Sequence, residues 1–171
     1  MTTPTKPPCW PNDPDYLDGK VELELPSERY TKVFWDTDIL DLDDKNKQDT
    51  ILGTQELFKV RFRVELRGRL WQCITGDWLF DVGFTSIGPG TSPFYLSSLL
   101  PSDPNFGYPG WRGCDTLCIE RIVTVPPGTI QIQGDTEVFE TAAKVELRCC
   151  SGHVAVAGYE ALEEYQFFKG A

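Results

Sequence analysis

Cys114-x-x-x-Cys118 and Cys149-Cys150-x-x-His153 supply the residue types that hold zinc. Thiolate and imidazole are its usual protein ligands, and structural sites take them in short-spaced pairs. The spacing here departs from that pattern. Cys149 and Cys150 are adjacent, so on a regular strand they point to opposite faces and do not easily share one ion. Buried thiols that pack as small hydrophobes account for the arrangement better. Neither a metal nor any other cofactor is expected.

His153 is the sole histidine. A Ser/His or Cys/His mechanism would have to use it, with Cys149 the nearest thiol in sequence. No Gly-x-Ser-x-Gly elbow accompanies it. Next to Gly152, the histidine reads as an exposed turn residue, and no catalytic residue is assigned. Asp36, Asp38, Asp41, Asp43, Asp44 and Asp49 crowd one stretch. Hard cations want such oxygens. The Gly and terminal Glu of an EF-hand are missing at the required spacing, and Lys45 and Lys47 dilute the charge. A solvated acidic loop over 36–50 is the expectation. Gly88-Pro89-Gly90 lacks the Lys and the Gly spacing of a phosphate loop. Among 26 acidic residues a carboxylate pair suited to glycoside hydrolysis is bound to occur, so that signal selects nothing.

Aromatic side chains carry more information. Tyr95, Phe106, Tyr108 and Trp111 lie in the Gly/Pro-rich stretch 88–113. Structureless stretches of that length in a compact domain are often functional. Rings on ordered loops serve as protein hot spots or as platforms for sugars. The alternative is a plug that closes one end of the fold. Trp10 is the large aromatic of residues 1–18, where Pro4, Pro7, Pro8, Pro11 and Pro14 impose an extended path. That arm is expected to lie across a neighbouring subunit or partner, anchored by Trp10.

The elements that would position these residues are strands. Phe58, Val60, Phe62, Val64 and Leu66 alternate with Lys59, Arg61, Arg63, Glu65 and Arg67. A two-residue period puts the apolar set on one face and the charged set, including Arg61 and Arg63, on the other. Leu70 to Ile74 and Trp78 to Phe84 follow after small-residue turns, which predicts an antiparallel meander. Further strands are expected at Lys20–Leu25, Tyr30–Trp35, Ile119–Val125, Ile130–Gln133, Glu137–Arg148, Val154–Ala157 and within 160–168. The acidic positions of Val21–Leu25 are the expected partners of the Lys59–Arg67 row, since opposite charges on facing strands set register. Val64-Glu65-Leu66-Arg67 recurs as Val145-Glu146-Leu147-Arg148, a weak hint of duplication.

The fold class follows: all-β, a single antiparallel β-sandwich or jelly roll, or a flattened barrel, of about eight to ten strands. It occupies residues 19–171 behind the arm. A chain of 171 residues suits one domain and needs no disulfide or metal to fold. The net charge of −10 disfavours general binding to nucleic acid or to anionic membranes. Residues 1–18 contain no apolar signal segment. The six cysteines are therefore expected to be mostly reduced thiols in a cytoplasmic protein.

For function, the leading expectation is a non-enzymatic structural or interaction domain. It would contact a protein partner or another copy of itself through the arm and the long loop. A small-ligand or carbohydrate-binding domain using Tyr95, Tyr108 and Trp111 is second. A hydrolase is third.

Overall fold

The computed structural model describes residues 20–23, 31–41, 50–68, 77–88, 93–96, 112–113, 116–148 and 154–170. These residues hold eleven strands and no α-helix. The strands are β1 (Lys20–Leu23), β2 (Thr31–Asp41), β3 (Ile51–Gly53), β4 (Phe58–Gly68), β5 (Asp77–Ser86) and β6 (Phe94–Tyr95). Then follow β7 (Arg112–Gly113), β8 (Thr116–Val125), β9 (Thr136–Arg148), β10 (Val154–Ala161) and β11 (Tyr165–Phe168). They form a seven-stranded sheet built on β9 and a four-stranded sheet in the order β2-β4-β8-β7. No described pairing joins the two sheets, so the fold is an open sandwich and not a flattened barrel. Every pairing is antiparallel except β11 with β3.

Strand β9 organises the larger sheet. Along one edge, Phe139 to Arg148 pair with β5. Along the other, Ala142 to Arg148 pair with β10, and Thr136 to Phe139 pair with β11. The link Leu162–Glu164 joins β10 to β11 beside β9. It is pinned there because Leu162 N–H donates to the Thr141 carbonyl (3.0 Å). The Thr141 hydroxyl in turn donates to the Glu163 carbonyl (2.7 Å).

The predicted alternation produces the core. Phe58, Val60, Phe62, Val64 and Leu66 of β4 are buried, as are Trp78, Phe80, Val82 and Phe84 of β5. These strands face one another from opposite sheets, with the Phe62 and Phe80 rings 5.1 Å apart. Phe58, Phe84, Phe139 and Phe167 form a second aromatic contact between the sheets, with centroids 5.5 to 6.4 Å apart. Such pairs contribute about 0.5–1.5 kcal/mol each beyond area burial. Trp35 of β2 is 0% exposed. It approaches β10 so closely that a Cβ at Gly158 would stand 2.6 Å from its Nε1. Only the missing side chain of Gly158 lets the two sheets meet there.

Several expectations need correction. The stretch 58–84 is not a meander within one sheet, because β4 and β5 belong to different sheets. The second strand runs to Asp41, well past Trp35, so Asp36 and Asp38 sit on a strand and not in a loop. Ile130 to Gln133 is not a strand, although Ile130 and Ile132 are buried. The basic row of β4 pairs with β2, not with β1. Asp36 lies opposite Arg63 and Asp38 opposite Arg61. Arg63 is only 2% exposed, where an outward, solvated side chain was expected. Its Nη2 donates to Asp36 (2.6 Å) and Asp38 (3.1 Å). The Val-Glu-Leu-Arg echo is a likeness of strand chemistry. In each copy Val and Leu are buried and the Arg bonds back to the Glu. The strand expected after the first copy, Leu70 to Ile74, lies outside the described residues.

The largest correction concerns redox state. Cys118 on β8 is disulfide-bonded. The other five cysteines all lie outside the described residues, and so does its partner. A disulfide is present where mostly reduced thiols and no disulfide framework were expected, and the cytoplasmic assignment loses one of its two supports. Among the described residues, no helix is long and apolar enough to cross a membrane.

Two outcomes follow for stability, both readable by denaturant or thermal unfolding. Arg63→Ala strands a buried aspartate and should cost about 3–5 kcal/mol. Arg61→Ala breaks a more exposed pair and should cost about 1 kcal/mol at most. Reducing the native protein should remove about 2–4 kcal/mol of stability, seen as a clear fall in melting temperature.

Candidate functional site

The β5–β9–β10 register fixes what the larger sheet presents on its outer face. Val82, Phe84, Ala143 and Val145 turn into the core. Their neighbours Asp81, Gly83, Thr85, Glu140, Ala142 and Lys144 must then turn outward. These residues line a cleft of about 620 Å³, together with Tyr95, Tyr159, Ala161, Leu162 and Glu164. That volume falls in the range of small-ligand sites, about 300–1,000 Å³.

Cross-strand rows give the cleft its plan. One row runs Tyr95, Gly83, Ala142, Ala161 over four adjacent strands. The next runs Asp81, Lys144, Tyr159. Thr85 opposite Glu140 makes a third. Small residues therefore form the floor, and a tyrosine stands at each side. Tyr95 is 54% exposed and Tyr159 is 59% exposed. Three strand spacings separate β6 from β10, about 14 Å across the sheet.

Gly83 sets the position of one ring. A Cβ built there would lie 3.1 Å from Tyr95 Cε1, so the tyrosine rests on the bare backbone of β5. The polar groups are mostly acidic. Asp81 is nearly buried, Glu140 comes from β9 and Glu164 from the pinned β10–β11 link. Lys144 is the cation of the lining, and its Nζ lies 3.7 Å from Glu146 on the same strand. A second cleft of about 420 Å³ is lined by Thr54, Gln55, Gly128, Ile130, Gln131, Ile132, Lys169 and Gly170. It offers no aromatic platform.

Of the residues singled out in the sequence, Tyr95 is the one the structure places in this cleft. Trp10, Phe106, Tyr108 and Trp111 lie outside the described residues, as do Cys114, Cys149, Cys150 and His153. Cys118 holds its sulfur in a disulfide, so it is not a free thiolate for zinc. Asp36 and Asp38 are neutralised by Arg63 and Arg61, which removes them from any calcium site. Asp43, Asp44 and Asp49 lie outside the described residues. Among the described residues, no group of three or more His, Cys, Asp or Glu side chains is placed to hold a metal.

Tyr159, Asp81, Glu140, Lys144 and Glu164 were not anticipated as site residues. The outward phase of β5 and β9 was already legible in the alternation. Its convergence with Tyr159 required the pairing of β5, β9 and β10, which no local pattern reveals.

No protein-family model matches this chain, and no curated protein matches it either. Among solved structures, the fold is similar to the crystal structure of the C-terminal domain of wzt, with a TM-score of 0.49. The two chains are 7% identical, with 90% of this chain and 80% of the other covered. At that level the likeness says nothing about a ligand.

Replacing Gly83 by Val should lift the Tyr95 ring from its seat. The ring resonances of Tyr95 should shift in an NMR spectrum, while the unfolding free energy changes by about 1 kcal/mol or less, since Val suits a strand.

Proposed function

We propose that this β-sandwich is a non-enzymatic carbohydrate-binding domain, and that the cleft between Tyr95 and Tyr159 is its binding surface. The observation that carries the reading is the pair of exposed tyrosines on one sheet face, separated by the flat floor of Gly83, Ala142 and Ala161. A sugar ring has an apolar C–H face and a rim of hydroxyls. The first stacks on an aromatic ring, which gives large contact area for few frozen torsions. The second donates to carboxylates, which are acceptors only when ionised. Asp81, Glu140 and Glu164 supply those acceptors around the platforms.

Of the surface expected to bind a protein partner, Tyr95 is the singled-out residue that falls in the described structure, and it belongs to this cleft. The assembly reading also draws on Trp10, Phe106, Tyr108 and Trp111, which lie outside the described residues, whereas the sugar reading is carried by residues within them. The rigid setting favours it further. The cleft floor is the back of two central strands whose other faces are the hydrophobic core. A preformed surface loses little entropy on binding.

Binding is tested with a glycan array followed by calorimetry on its best hit. Tyr95→Ala and Tyr159→Ala should each weaken that interaction by about 1–2 kcal/mol, roughly 5- to 30-fold, as truncation of an aromatic anchor does. Unchanged affinity in both variants would exclude the cleft.

A further inference from the structure

We infer that the cleft selects an oligosaccharide free of acidic groups, laid across the strands from Tyr159 to Tyr95. This rests on the carbohydrate reading above and narrows it in length and charge.

Length comes from the spacing of the platforms. Tyr95 is opposite Gly83, Gly83 opposite Ala142, and Ala142 opposite Ala161, two residues beyond Tyr159. The two tyrosine Cα atoms are thus displaced both across the sheet and along it. Three strand spacings and a two-residue offset put them about 16 Å apart, and about 12 Å separates the Tyr159 Cα from Gly83, over which the Tyr95 ring rests. A single sugar ring cannot reach both platforms. A chain of several rings can, and each further ring adds contact until both tyrosines are covered.

Charge comes from the groups between the platforms. Glu140 and Glu164 line the cleft, where Lys144 lies opposite Asp81 of β5. Glu146 stands 3.7 Å from the Lys144 ammonium and offsets its charge. The whole chain carries −10, which reinforces the local sign. Groups lining one cleft interact within a Debye length of about 8–10 Å, so salt does not fully screen them from a bound ligand. A uronate or sulfate in the chain would meet these carboxylates at close range. Like charges brought together in a binding site are an effective means of rejecting the wrong ligand.

The test uses the full chain. A glycan array carrying neutral, amino and acidic glycans comes first. Calorimetry then follows with the best neutral chain in graded lengths from the monosaccharide upward, and with its uronate counterpart. Affinity should climb with length and then level off. The uronate chain should bind at least about tenfold more weakly, as expected for an uncompensated like charge. Added salt should narrow that gap, and so should the double variant Glu140→Gln, Glu164→Gln. The salt series stands independently if the variant fails to fold. A monosaccharide that binds as tightly as the longer chains overturns the length inference. An acidic glycan that binds as well as the neutral one overturns the charge inference. Either result leaves the carbohydrate reading intact. An array with no bound glycan of any kind overturns both.

Discussion

A strand cannot turn one side chain inward without turning the next outward, and the pairing of β5 with β9 places this constraint at the centre of the molecule. Val82, Phe84, Ala143 and Val145 are committed to the core. Asp81, Gly83, Glu140, Ala142 and Lys144 are committed by the same act to the opposite face. A one-residue slip of β5 would turn Val82 and Phe84 outward and its polar row into the core. The hydrophobic effect therefore fixes the register, and the register fixes the cleft. Core and cleft are two faces of the same strands, so the proposed binding surface is backed by the core.

The second sheet holds that register from across the sandwich. Phe62 packs on Phe80, and Phe58 reaches both Phe84 and Phe167. Trp35 seats against the backbone at Gly158. On the outer side of this second sheet three arginines are paired. Arg61 and Arg63 are tied to Asp36 and Asp38, and Arg67 lies 4.7 Å over the Phe34 ring while pairing with Glu65. The two outer faces thus differ in kind. One carries paired arginines. The other carries exposed tyrosines above a small-residue floor.

How much of this could be read from the sequence depends on whether the information is local. The two-residue period of Phe58 to Leu66 is local, and it predicted burial at each apolar position correctly. The phase of β9 was legible for the same reason. Which strands become neighbours is not local. Trp78 to Phe84 follows β4 closely in sequence yet belongs to the opposite sheet, so turn signals suggested a meander that the fold does not contain. The burial of Arg63 was hidden likewise. Charge at an outward position normally means solvent, and only the β2 pairing supplies the aspartates that let a guanidinium be buried. The partner of Cys118 lies outside the described residues, and among six cysteines spacing alone does not choose a pairing. Tyr95 was found because a ring in a Gly/Pro-rich stretch is conspicuous. Tyr159 was missed because an aromatic at the end of an apolar run looks like one more strand residue.

The function proposed for this chain depends on one surface, and that surface can be located without altering any residue. The direct measurement is amide NMR of the uniformly labelled chain, titrated with the best-binding glycan. The account predicts shifts concentrated on Asp81, Gly83, Thr85, Tyr95, Glu140, Ala142, Lys144 and Tyr159, with the β2–β4–β8 face silent. Shifts that gather instead on the four-stranded sheet, or on the cleft lined by Gln131 and Lys169, would place the binding surface elsewhere and contradict the account.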